Sequence, residues 1–279
     1  MAPAPWQGLQ LAVLALLSVP RLGVLTAAEL LAAAACAIAA AGAGPETLSP
    51  WRRRLVAGVV PVCTRVALAC AGFWRIRVRG AALDPRCRVF VCNHRHLLDG
   101  FVLNWLLRAP AFVARASMQR LPMFGSILKA QQCIFVDKGD APSRQQAGQA
   151  IRRRCQQEEA PPLVIFPEGT INYGPDGDLL PFKSGAFRPG LPVQPVLLRY
   201  RIARGGACCK TGAGQEERPE SVADEAMSLL RLLLCFSCRC EVWVMPVVSP
   251  EAAELGDASR FMHEVRRQMA EQEYQLRHS

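Results

Sequence analysis

From residue 75 to residue 250, short apolar runs alternate with segments of helical spacing, and this alternation confines the chain to an α/β architecture. "RVFVCN" (88–93), "CIFVDKG" (133–139) and "PLVIFPEGT" (162–170) are apolar runs closed by turn residues, as buried strands are. "RIRVRG" (75–80) alternates apolar and basic residues like a half-exposed strand. "LPVQPVLLRYRI" (191–202) and "CEVWVMPVVSP" (240–250) supply two more, with Pro195 placing the first at an edge or a bulge. "LLDGFVLNWLLR" (97–108) and "SRQQAGQAIRRRCQQEEA" (143–160) read as helices, the second capped by Ser143. A closing helix over 257–274 carries Phe261, Val265 and Met269 on one face. In such a sheet the loops at the strand ends form the site.

The preceding residues follow another pattern. Residues 9–44 are hydrophobic but interrupted by Pro20, Arg21 and Glu29, which fits one kinked span or a membrane-dipping hairpin better than two full spans. A cleaved signal peptide fits poorly, because the basic leading region is missing and the apolar stretch is too long. The cluster "WRRR" (51–54) opens a segment, 55–74, whose Val56, Val60, Cys63, Val66, Cys70 and Phe73 have helical spacing. With Trp51 and Trp74 at its ends it suits a helix in the membrane interface, and a buried core helix is the alternative. Positive charge after the first apolar segment puts the following domain on the cytosolic side. The chain thus divides into a membrane anchor with interfacial helices (1–74), an α/β domain (75–250) and a C-terminal helix (251–279).

The net charge of +10 favours anionic partners. Nucleic acid is disfavoured against anionic lipid, because the arginines near 52–54 and 75–79 flank apolar segments. The 12 cysteines follow no disulfide framework, and several lie in apolar runs where cysteine acts as a small hydrophobe, so the chain reads as reduced and cytosol-facing. Cys235 and Cys238 have zinc-ligand spacing beside Cys208, Cys209 and Cys240, but an apolar core segment is the simpler reading. The stretch 203–221 is Gly-rich and polar, an exposed loop.

Two stretches carry chemistry. "VCNHRHLLDGF" (91–101) holds His94, His96 and Asp99. As a metal site it is short of ligands, since the other histidines, His263 and His278, lie near the C-terminal end. As a general base with an orienting acid it needs a carboxylate in the first turns of a helix, reaching back to an imidazole in the loop before it. Helix geometry alone favours His96 with Asp99, because i,i+3 pairs share a face. His94 with Asp99 requires His94 to precede the helix, and spacing leaves both open. In "VIFPEGT" (164–170) a glycine permits close backbone approach, and Thr170 with exposed N–H groups suits a phosphate.

Together these stretches resemble the glycerophospholipid acyltransferase superfamily. "NHRHLLD" has its H-x4-D form, "IFVDKGDAPSR" resembles its second block, "FPEGT" its third and "LPVQPVLLRY" its fourth. "FKSGAFRPGLPVQPVLLRY" and "VMPVVSPE" are most similar to lysophosphatidylcholine acyltransferases and related glycerol-3-phosphate acyltransferases. The resemblance implies a glycerolipid acyltransferase fold, α/β with a mixed, mostly parallel sheet flanked by helices, after an N-terminal membrane-associated helical segment. It implies His94 as general base on a glycerol hydroxyl and Asp99 as its orienting partner. Acyl-CoA would be the cosubstrate, a lysophospholipid or related glycerolipid the acceptor, with no metal or other cofactor. Glu168, Gly169 and Thr170 match the block that binds the acceptor's phosphate end, and Lys183 matches a basic position that assists. Lys138 stands where arginine is usual, keeping the charge without the bidentate fork. Arg95 and His96 depart from the family's small or polar residues, marking a place where acceptor choice differs. The implied setting is the endoplasmic reticulum or another intracellular membrane. "YGPDGDLL" lacks the EF-hand ligand pattern, so calcium control is not expected. The rival reading within this fold is a weak or inactive relative acting as a lipid-surface anchor; His94, Asp99 and the intact "FPEGT" argue against it.

Overall fold

A computed structural model describes residues 5–42, 48–137, 139–157, 159–172, 178–202, 238–251 and 257–278. Its strands are β1 (Arg75–Gly80), β2 (Val89–Cys92), β3 (Ala111–Arg115), β4 (Ile134–Val136), β5 (Leu163–Ile165), β6 (Val193–Ile202) and β7 (Cys238–Val244). Its helices are α1 (Pro5–Ala40), α2 (Pro50–Cys70), α3 (Asp99–Leu106), α4 (Phe124–Ala130), α5 (Ala141–Gln156) and α6 (Ala258–His278). Among the described residues the strands form one sheet in the order β1-β7-β6-β2-β5-β3-β4. Every pairing is parallel except β6 with β7.

Alternation along the strands sorts the core into two layers. Phe90, Cys92, Val164, Val196 and Leu198 face α2, α3 and α4, where they pack with Leu68, Val102, Leu103 and Leu128. Their neighbours Val89, Val91, Leu163, Ile165, Val193 and Leu197 face α5 and α6, meeting Ile151, Phe261, Val265 and Met269. A strand buried on both faces has no polar alternation, which is why 88–93 and 162–165 read as continuous apolar runs. The closing helix is integral to this core: Phe261, Val265 and Met269 are fully buried. Each such side chain contributes about 1.5–3 kcal/mol as an upper bound.

Three details differ from the sequence reading. α5 starts at Ala141, not at Ser143, and its cap is Asp140, whose carboxylate accepts from the Ser143 amide at 2.9 Å. Pro142 fits that first turn because its missing N–H needs no partner there. β6 lies inside the sheet, between β7 and β2. Pro195 is tolerated there because of a bulge, the other half of the expectation: Val196 pairs with Val244, yet Val193 bridges Val248, leaving one extra residue opposite. The Pro195 carbonyl accepts from the Met245 amide at 2.9 Å, so the missing N–H points at that bulge.

α1 is one continuous helix through Pro20, not a hairpin, about 54 Å long at 1.5 Å per residue. Its stretch Ser18–Ala40 is long and apolar enough to cross a membrane. Ala28, Ala32, Ala35, Cys36 and Ala39 form a buried face of small residues that admits the close approach of α2. Leu16, Val19, Leu22, Leu31 and Ile38 are exposed. α2 starts at Pro50, includes the "WRRR" cluster and is packed between α1 and α3. Two of those arginines hold the fold: Arg52 caps α1 by donating to the carbonyls of Ala39 and Ala41 at 3.0 and 2.6 Å, and Arg53 pairs with Glu159 at 2.9 Å. Of the cysteine cluster, Cys208, Cys209 and Cys235 lie outside the described residues, as does the whole 203–221 loop, whereas Cys238 and Cys240 are buried in the core of β7.

Candidate active site

β2 and β5 are parallel neighbours, so "NHRH" and "FPEGT" leave the sheet at the same end. The chain from β2 enters α3 on one face, where Val102 and Leu103 pack. The chain from β5 crosses the other face with Leu179, Phe182 and Phe187. Connections that part to opposite faces open a crevice at the carboxyl ends of the strands, the usual place for a ligand in such sheets.

Asn93 fixes the start of the loop. It is fully buried, and its side chain pairs with Leu198 as a further rung of the sheet: Nδ2 donates to the Leu198 carbonyl at 3.0 Å and Oδ1 accepts from its amide at 2.7 Å. His94 follows with its ring stacked on Phe166, centroids 4.2 Å apart. Its Nδ1 is 2.8 Å from Asp99 Oδ2. That oxygen also accepts from the amides of Arg95 at 2.6 Å and His96 at 2.9 Å, and Oδ1 accepts from the Tyr200 hydroxyl at 2.5 Å. Asp99 is fully buried, so these donors replace water around its carboxylate. Because Asp99 can only accept, Nδ1 carries the proton and Nε2 presents the lone pair.

Which imidazole meets Asp99 follows from where the helix begins. α3 starts at Asp99, so residues 94–98 are loop and the i,i+3 rule does not apply. Asp99 draws in the His96 amide, not its ring. The His96 ring Nδ1 instead accepts from the Leu98 amide at 3.1 Å.

Glu168 sits behind this pair. Oε1 accepts from the His94 amide at 2.9 Å; Oε2 accepts from the Leu180 amide and Asn172 Nδ2, each at 3.0 Å. Asn172 in turn donates its amide to the His94 carbonyl at 2.7 Å. Burial pushes the Glu168 carboxyl above the usual carboxylate range, opposed by the amides of His94 and Leu180 and by Arg95. A carboxylate so engaged clamps the two loops together, holding His94 through its backbone. Glu168→Gln is therefore expected to cost about 1–3 kcal/mol, because the new NH2 must face either His94 N–H or the two donors at Oε2. Chemical denaturation would read that loss.

The remaining site residues lie on the same loop or against it. Gly169 has φ +71, and a Cβ placed there would lie 2.8 Å from Lys183 Nζ. The Lys183 amide donates to the Pro167 carbonyl at 2.8 Å, and its exposed side chain passes Gly169; Thr170 is half-buried. Lys138 lies outside the described residues.

The sequence reading missed Tyr200, Phe166, Asn93 and Asn172 as site residues. Tyr200 stands on the inner face of β6, and burial, then the nearby Asp99 charge, pushes its phenol far above the usual range, keeping it a donor. The thiols of Cys92 and Cys240 are likewise raised, first by burial and then by Asp99.

A family model described as Acyltransferase matches residues 75–199. Lysophosphatidylcholine acyltransferase 1 of Homo sapiens is 31% identical over 95% of this chain and 48% of its own length. Lysophosphatidylcholine acyltransferase 2 of Rattus norvegicus is 30% identical over 94% of this chain and 47% of its own. The lysophospholipid acyltransferase LPEAT2 of Arabidopsis thaliana is 36% identical over 54% of this chain and 27% of its own. The chain thus spans about half the length, or less, of these curated relatives. The crystal structure of the 1-acyl-sn-glycerophosphate acyltransferase PlsC of Thermotoga maritima shares the fold, with a TM-score of 0.53 at 18% identity over 80% of this chain and 81% of that one.

Proposed function

The chain belongs, through residues 75–199, to the glycerophospholipid acyltransferase superfamily, and from that premise we propose that it moves a fatty acyl group from acyl-CoA to a glycerol hydroxyl of a lysophospholipid of the lysophosphatidylcholine type. The observation that carries the reading is the 2.8 Å contact of His94 Nδ1 with buried Asp99, at the carboxyl end of a parallel strand and beside the "FPEGT" loop.

His94 Nε2 takes the proton of the acceptor hydroxyl. The oxygen attacks the thioester carbonyl, and the tetrahedral intermediate collapses by breaking the carbon–sulfur bond. The departing CoA thiolate takes the proton back from the imidazolium and leaves as a thiol. Asp99 fixes the tautomer and stabilises the imidazolium, while Tyr200 and the two amides fix Asp99. Lys183, Gly169 and Thr170, with Lys138, hold the acceptor's phosphate end. Glu168 acts as a positioning residue. The energy lies in the thioester, so the mechanism calls on no metal.

α1 anchors the enzyme in an intracellular membrane, the endoplasmic reticulum being the expected one, with the α/β domain on the cytosolic side. Purified protein supplied with labelled acyl-CoA and a panel of lysophospholipids differing in headgroup tests the reading. Diacyl product from lysophosphatidylcholine or a close analogue is expected. Absence of product with every lysophospholipid overturns it.

A further inference from the structure

Three arginines from three adjacent strands stand in one row across the sheet. Arg75 pairs in register with Arg239, and Arg239 with Arg201. Directly opposed side chains in a sheet are about 5 Å apart, and like charges there are destabilising. All three are exposed, as are Arg77 and Arg79, and among the described residues none of the five is in an ion pair. Charging an edge strand guards it against aggregation, which accounts for the arginines of β1. It does not account for Arg239 and Arg201, one and two strands inward.

Strand directions locate the row. β6 is parallel to β2, and β1 and β7 run the other way, so the row lies at the end of the sheet that carries His94. Arg201 is the next residue after Tyr200 and lies on the opposite face of β6. α1 and α2 are antiparallel: Arg52 bonds the carbonyl of Ala39, and Arg21 is within electrostatic reach of Cys70. Residues 5–20 of α1 therefore continue past the end of α2 by about 24 Å, on this same side. Trp74, 52% exposed, joins that level to Arg75, its carbonyl held by Arg65 at 2.7 Å. Leu121 and Met123, exposed apolar residues, follow the carboxyl end of parallel β3 and lie at this end too.

We propose that this end of the sheet docks on the surface of an anionic bilayer, with the Arg75–Arg239–Arg201 row on the acidic headgroups and the leading turns of α1 in the hydrocarbon. Charge complementarity, the exposed tryptophan and continuity with the apolar helix all select a lipid surface over a soluble anion. The consequence for the acceptor, which would reach His94 from the membrane, rests on the function proposed above; the docking does not.

The test is the association rate of the full chain, diluted from neutral detergent onto vesicles of phosphatidylcholine alone or with phosphatidylserine, read by energy transfer from tryptophan to a labelled lipid. At about 0.1 M salt the anionic vesicles are expected to capture the protein at least tenfold faster, and high salt to erase the gain. The triple variant Arg75→Gln, Arg201→Gln, Arg239→Gln is expected to lose most of it. Circular dichroism and acyl transfer in neutral micelles report on its folding. Arg54→Gln with Arg108→Gln, exposed arginines near the opposite end of the sheet, is expected to keep the gain. Equal capture by both vesicles, full gain in the triple variant, or equal loss in the control pair overturns the proposal.

Discussion

Replacing His94 by alanine is expected to lower acyl transfer by about 10²–10⁴-fold, the range that a positioned general base supplies. The structural cost should be small by comparison. The His94 side chain is 21% exposed, and its loss leaves Asp99 with the amides of Arg95 and His96 and the hydroxyl of Tyr200. Its main packing loss is the stack on Phe166. The variant should therefore fold and bind membranes like the parent while its kcat collapses. Turnover of labelled acyl-CoA on one lysophospholipid, with parent and variant at equal loading, measures this, and an unreduced rate removes His94 from the base role. His96→Ala is the informative partner: its ring lies off the dyad, bonded to the Leu98 amide, and its effect should fall on acceptor preference before rate.

What the sequence disclosed follows from burial. Strands covered on both faces leave uninterrupted apolar runs, so 88–93 and 162–165 were legible as strands and α3, α5 and α6 as helices between and after them. The order of the strands was not legible, because it depends on contacts between runs that look alike. Pro195 marked a bulge but not the strand's place inside the sheet, since that bulge is made by Val244–Val248, about fifty residues on. Tyr200 gave no local signal. It reaches Asp99 across 101 positions, and a tyrosine at a strand end is ordinary until the partner is known. Glu168 was legible as a site residue but not in its task, because its partners are backbone amides at positions 94 and 180. The boundaries drawn at 74 and 250 mark changes of pattern and not separate cores: Leu68, Ala71 and Phe73 pack with the strands, as do Phe261 and Val265 from the other side.

Asp99→Asn is expected to cost rate with little loss of structure, because the two oxygens of Asp99 do unequal work. Oδ2 accepts from His94 Nδ1 and two amides, whereas Oδ1 accepts only from the Tyr200 hydroxyl. An asparagine that keeps its carbonyl at the Oδ2 position retains all three of those bonds, and its NH2 meets a hydroxyl that turns to accept. The opposite orientation sets an NH2 against three N–H donors and is excluded. The His94 tautomer is thus preserved, and what is lost is the negative charge that stabilises the imidazolium. We expect a fall in kcat of about 10²–10³-fold, less than the roughly 10⁴ seen where a neutral substitute also inverts the tautomer. Asp99→Ala leaves the same buried donors without an acceptor and should also destabilise the protein by about 3–5 kcal/mol, several buried groups being unpaired at once. The pair of variants separates the roles: a folded, slow Asn variant beside an unstable Ala variant assigns Asp99 both orientation and charge. An Asn variant that turns over at the parent rate would mean that the charge contributes nothing and that Asp99 only holds the loop.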